Sequence, residues 1–256
     1  MPTKKALKPT TSMTLAEIAE QVAEHTDVEA LDAMVVRLHD IRAIVARLDT
    51  RRKDIYAEVK TRFHRGTSVV YDTSIPSGGY YLRETTTQVT RYRAVESAVV
   101  KKARPELWEA ARTRKPWVQV KAPDGYEVPD LGALRLPPAG AMLRTLDANT
   151  LMRHYKAPVF EQISALKGEE KHITGVLSLL GAQGHLDDEQ RFADGWAVTL
   201  ARLEFDSEKL RRLDPEAWER MAVEKSKGGV TRLDVVALDR AQDFGMIDLD
   251  AEQFAQ

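Results

Sequence analysis

The sequence predicts an α+β protein of two tandem modules, each a long coiled-coil-type helix, a β-hairpin, a helix and a short strand. Three observations lead there. Pro105, Glu106, Leu107, Trp108 and Glu109 recur 110 residues later as Pro215, Glu216, Ala217, Trp218 and Glu219, and a fixed offset is a fold-level signal. A heptad-patterned stretch precedes each copy. Between heptads and Trp element, each half carries a β-rich run, GGYYLRETTTQVTRYR in the first and DGWAVTLARLEF in the second. The repeat divides the 256 residues into a tail and short helix over 1–27, a basic module over 28–123 and a linker over 124–150. An acidic second copy follows over 151–238, and an acidic C-terminal tail over 239–256.

Residues 1–12 are rich in Lys, Pro and Thr and read as disordered. Thr14 and Glu17 then form a capping box ahead of an amphipathic helix with Leu15, Ile18 and Val22 on its apolar face. Thr26 and Glu29 repeat that pattern and predict the start of the long helix. There Leu31, Met34, Leu38, Ile41, Val45, Leu48, Arg52, Ile55, Val59 and Arg62 follow alternating three- and four-residue steps, a coiled-coil seam that needs a partner helix.

Gly66 should end this helix. A first strand over 67–71, turn chemistry over 72–79 and a long strand from Tyr80 to Arg93 then predict a hairpin. A helix from Ala94 to Arg114 follows, cut by Pro105, and 116–120 returns as a strand. Four prolines and three glycines over 123–141 indicate an irregular linker. In the second half Val159, Ile163, Leu166, Glu170, Ile173, Leu177 and Leu180 repeat the three-four spacing, with Gly181 and Gly184 ending the helix. A hairpin over 192–205, a helix around Trp218 and a strand over 230–238 complete the copy.

The absence of cysteine excludes disulfides, thiolate metal sites and cysteine nucleophiles. No apolar run has membrane-spanning length, which points to a cytoplasmic protein with no membrane association. The six histidines lack ligand spacing, no phosphate-loop or nucleophile-elbow motif occurs, and the sequence predicts no catalytic residues, metal or cofactor. One element, Trp117-Val-Gln119-Val-Lys121, resembles the second-strand motif of metal-dependent nucleases. No aspartate lies between Asp72 and Asp124 to hold Mg²⁺.

Charge is asymmetric. Residues 1–123 hold 22 Lys and Arg against 15 Asp and Glu, and residues 124–256 hold 16 against 24. The candidate nucleic-acid contacts are Arg47, Arg51, Arg52, Lys53, Lys60, Arg62 and Arg65 on the heptad helix. Arg91, Arg93, Lys101, Lys102, Arg104, Arg112, Arg114 and Lys115 follow, with Lys121 nearby. Tyr80, Tyr81, Tyr92, Trp108 and Trp117 lie among them. Such cations neutralise phosphates, and exposed rings stack on unpaired bases. The competing reading is a solvated helix face with Trp108 as a core anchor.

The heptad helix over 31–62, GGYYLRETTTQVTRYR and KKARPELWEAARTRKPWVQVKAP together resemble small phage proteins of recombination and anti-defence gene clusters. In order of elements they are similar to the Gam family of phage host-nuclease inhibitors. The resemblance covers residues 28–123, with an echo over 158–238. It implies a DNA-end-binding accessory protein that pairs long helices into a dimer. The sequence departs from that pattern in carrying the plan twice and in its acidic second half.

The sequence thus predicts a non-enzymatic phage-type accessory protein, a host-nuclease inhibitor or anti-defence factor. It would bind DNA or a host DNA-processing protein through the basic first module. Alternatives are a structural or virion assembly protein that forms homo-oligomers through its coiled-coil helices, and a DNA mimic using the acidic half.

Overall fold

The computed structural model describes residues 11–129 and 135–243. The disorder expected for 1–12 and the loose acidic tail fall largely outside them. The chain is α+β. Helix α1 (Leu15–His25) begins with the capping box: Glu17 N–H bonds the Thr14 hydroxyl, and Thr14 N–H bonds the Glu17 carboxylate. Leu15, Ala19 and Val22 form its buried face. Thr26 does not start the next helix. Its hydroxyl donates to the Val22 carbonyl at 2.8 Å, closing α1. The long helix α2 (Leu31–His64) begins after Ala30, whose φ of 54° lies outside the helical region.

The seam of α2 is buried by the chain itself. Leu31, Leu38, Ile41, Leu48 and Ile55 are fully covered, each contributing about 1.5–3 kcal/mol by leaving water. A second copy is therefore not needed to cover it. The two seam arginines are half-buried. Arg62 pairs with Glu58 and donates to the carbonyls of Arg144 and Leu146. The helix ends in a Schellman motif at Gly66 (φ 105°), with Thr67 N–H bonding the Arg62 carbonyl and Gly66 N–H that of Phe63.

After α2 come strands β1 (Val69–Tyr71), β2 (Gly79–Thr86) and β3 (Thr90–Val95), then helices α3 (Ser97–Ala103) and α4 (Pro105–Ala110), and strand β4 (Arg112–Lys121). The single strand expected from Tyr80 to Arg93 is thus two, and the second helix ends at Ala110 rather than Arg114. Pro105 occupies the first turn of α4, where a missing N–H costs nothing. Short helices α5 (Met142–Thr145) and α6 (Ala148–Tyr155) were not anticipated. Helix α7 (Gln162–Ala182) excludes Val159, which sits in a 3-10 turn, and ends at Gly184 (φ 80°) with the same Schellman bonds as α2. Strands β5 (Glu189–Arg191) and β6 (Ala197–Phe205), helices α8 (Ser207–Leu213) and α9 (Pro215–Met221), strands β7 (Ala222–Lys227) and β8 (Thr231–Ala237) and helix α10 (Leu238–Asp243) follow. Helix α10 occupies the start of the expected loose tail.

The chain forms two compact units that do not coincide with the two halves of the sequence. Among the described residues, one holds 11–46, 92–129 and 164–225, the other 47–91, 135–163 and 226–243. The first unit contains the sheet β4-β6-β5, the second the sheet β1-β2-β8, and β3 pairs with β7. Each three-stranded sheet is antiparallel and joins a hairpin from one half to a strand from the other. Leu82 faces Val235 in one, and Val120 faces Val198 in the other.

The Trp elements share an environment in the first unit. Trp108 donates its indole N–H to Ser97 at 2.9 Å, and Trp218 to Ser207 at 3.0 Å, each reaching back eleven residues. Val95, Val100, Ala111, Leu210 and Trp218 form one apolar cluster, with Leu107, Trp108, Phe205 and Met221 against it. Trp218 is buried and Trp108 half-buried.

Candidate nucleic-acid interface

In the second unit Asp49, Arg52, Lys53 and Tyr56 lie at helical spacings of three and four on one face of α2. Tyr155 at the end of α6, with Arg232 and Leu233 of β8, completes a cavity of about 360 Å³, within the range of ligand sites. The Tyr56 hydroxyl fixes its geometry. It donates to the Leu233 carbonyl at 3.0 Å and accepts the Leu233 N–H at 2.8 Å. The outer main-chain edge of β8 is thereby tied to the helix at one residue.

The charges here are mostly cationic. The Arg52 guanidinium lies 5.1 Å from the Tyr155 ring centre and 5.9 Å from that of Phe160, and its Nε is buried without an acceptor among the described residues. Lys156, the C-cap of α6, places its ammonium 5.6 Å from the Tyr80 ring and 5.7 Å from Tyr155. Burial, and then the charge of Arg52, pushes the Lys156 amine below the usual lysine range. Lys53 is exposed at the rim. Among the described residues Asp49 is the one carboxylate lining the cavity, and Arg232 pairs with Asp234 at 3.1 Å. Tyr56 and Tyr155 pack at 5.9 Å in a tilted arrangement. An anion entering this cavity would meet Arg52 and Lys53, with the charge of Lys156 acting on the site from beside the Tyr155 ring.

Elsewhere in the second unit, Asp72 is buried in the turn between β1 and β2 and takes both prongs of Arg153, at 2.7 and 2.8 Å. The Arg153 bonds, then the Ser74 hydroxyl, hold the Asp72 carboxyl far below the usual carboxylate range.

Of the basic residues singled out in the sequence, most are engaged within the protein. In the second unit Lys60 lies 3.9 Å from Glu84, Arg62 binds Glu58, and Arg51 donates to the Pro137 carbonyl. Arg91 also has a partner. In the first unit Arg93 pairs with Glu219, Arg104 with Glu106, Arg112 with Glu109, Arg114 with Asp188 and Lys115 with Glu204. Lys101 and Arg112 also sit over the Trp108 ring, at 4.6 and 4.8 Å. Arg47, Lys53, Arg65 and Lys102 have no ion pair among the described residues. Only Arg52 and Lys53 of the fifteen candidates line the cavity. Sequence reasoning missed Tyr56, Tyr155, Lys156 and Arg232. Tyr56 was legible as the residue four beyond Arg52. Tyr155 and Lys156 needed α6, whose signal was the Asp147 cap on Thr150 N–H at 2.8 Å.

At the nuclease-like element, Trp117 Nε1 donates to Gln119 at 3.4 Å on strand β4. Among the described residues no three His, Asp or Glu side chains converge to hold a metal ion. Also among them, no helix is long and apolar enough to cross a membrane.

No protein-family model matches the chain, and neither does a curated protein or a solved structure.

Proposed function

We propose that this chain is a non-enzymatic accessory protein that binds DNA phosphates through the basic, tyrosine-lined cavity of its second unit. The observation that carries this is that Arg52 and Lys53 line the cavity with Tyr56 and Tyr155, that Lys156 adds its charge beside Tyr155, and that Arg52 Nε has no acceptor among the described residues. A cation buried short of hydrogen-bond partners costs stability unless a ligand supplies them. The reading keeps the phage-type role suggested by the order of elements, but its contacts come from both halves of the sequence rather than from the basic half alone.

Fluorescence anisotropy with a labelled 20-mer, single-stranded and duplex, at about 50 mM salt tests it. Three phosphate contacts give a slope of log affinity against log salt of about −2 on single strands and about −3 on duplex. Arg52→Gln should weaken binding about tenfold, while Arg104→Gln, whose cation is spent on Glu106, should change nothing. Absence of binding to either DNA, or equal effects of the two substitutions, overturns the proposal.

A further inference from the structure

We infer that the outer edge of β4 in the first unit is a docking groove for an extended acidic peptide segment of a partner protein. The inference is independent of the DNA reading. Strand β4 has β6 on one side and, among the described residues, no strand on the other. Among the described residues no main-chain hydrogen bond outside its ladder reaches residues 113–121. A free edge of this kind offers alternating N–H and C=O groups to an added strand.

The edge opens on a groove of about 770 Å³ rather than on bulk solvent. One wall is residues 116–120 of β4, and the other is α7 with Lys171, Gly175 and Ser178, closed at one end by Arg42. A bulge between Pro116 and Gln119 sets two residues against one of β6, turning the strand at this point. Trp117 stays 42% exposed, its ring under Arg202 at 3.4 Å.

Helix α7 leaves the groove open at a cost to itself. A Cβ at Gly175, or at Gly168 seven residues earlier, would meet nothing within 4 Å, so packing does not require glycine at either position. Each costs a helix about 1 kcal/mol relative to alanine.

Charge selects the occupant. On strand β4 Arg112, Arg114 and Lys115 are spent on Glu109, Asp188 and Glu204. The charge left at the groove is that of exposed Lys121 on β4 and exposed Lys171 on the opposite wall, neither with an ion pair among the described residues. Among the described residues no Asp or Glu lines the groove. A second copy docking in the same groove would bring its own Lys121 and Lys171 toward these two lysines, which is unfavourable. An acidic strand meets them with opposite charge, its apolar side chains against Trp117 and Val120.

The test uses the full chain and a fluorescein-labelled nonapeptide of alternating Val and Glu, with a Val and Lys peptide as comparison. The acidic peptide should bind at micromolar to submillimolar concentration and the basic one should not. Gly175→Phe, which fills the groove without a clash at Cβ, and Lys171→Glu should each weaken binding at least tenfold at unchanged melting temperature. Arg52→Gln should leave it intact, which separates this result from the DNA assay. No binding, equal binding of the two peptides, or indifference to Gly175→Phe overturns the inference. So does a concentration-dependent dimer, seen by light scattering, that Gly175→Phe abolishes, because the occupant is then a second copy.

Discussion

Ser207 accepts two hydrogen bonds at once, the indole N–H of Trp218 at 3.0 Å and the main-chain N–H of Val95 at 3.2 Å. Among the described residues its counterpart Ser97 takes only the indole of the more exposed Trp108. Removing an acceptor strands its donors, and the cost scales with their burial. Ser207→Ala should therefore destabilise the protein by about 2 kcal/mol, and Ser97→Ala by less than about 1 kcal/mol. Urea denaturation followed by tryptophan fluorescence measures both. Equal losses would show that the second bond contributes nothing.

Lys156 should display the opposed effects of a binding residue on stability and function. Its amine titrates low in the fold, so the folded state holds fewer protons than the unfolded one just below the ordinary lysine range. Stability on this account rises with pH there, and the charged form is a cost at neutral pH. Because the Lys156 residue as a whole remains exposed, solvent screens most of that cost. Lys156→Met should raise the melting temperature by no more than about 1 °C and weaken DNA binding several-fold. Loss of both stability and binding would mark Lys156 as merely structural.

Acid should loosen the turn between β1 and β2. The carboxyl of Asp72 is depressed in the fold by Arg153 and Ser74. Its contribution is complete above the unfolded value of about 4 and is lost as pH falls from there toward the lower folded value. Melting temperature should drop more steeply below pH 4 in the parent than in Asp72→Asn, which starts lower at neutral pH. Parallel curves would refute the assignment.

Ala30 precedes α2 with a φ of 54° and yet accepts the Met34 N–H at 3.0 Å. A residue with a Cβ pays about 1–2 kcal/mol for this conformation, partly offset in glycine by greater unfolded-state freedom. Ala30→Gly should stabilise the protein by about 0.5–1 kcal/mol in thermal or urea unfolding.

Where local chemistry decides structure, the sequence was readable. The Thr14 capping box, the seam of α2, the stops at Gly66 and Gly184 and the break at Pro105 all follow from side-chain or backbone preferences within a few residues. The α+β class followed from these. Thr26 misled because its hydroxyl can serve a helix end as well as a start, and Ala30 gives no warning of its positive φ. Strand partners were not legible at all. Nothing near Leu82 or Val120 tells that Val235 or Val198 will lie opposite, since register comes from packing across about 150 and 80 residues. For the same reason a count of cations in the sequence overstated the basic surface: Glu219, Asp188 and Glu204, which neutralise Arg93, Arg114 and Lys115, come from the distant half.

The pairing of β2 with β8 has a consequence for biosynthesis. When the hairpin over 69–86 leaves the ribosome, the strand that flanks it lies some 145 residues from being translated. Until residue 237 emerges, β2 presents a bare flank open to wrong neighbours, a delay that long-range topologies impose. A stop codon anywhere before residue 231 leaves that flank bare for good, so truncation near the C-terminus should yield aggregate rather than a shortened but folded protein.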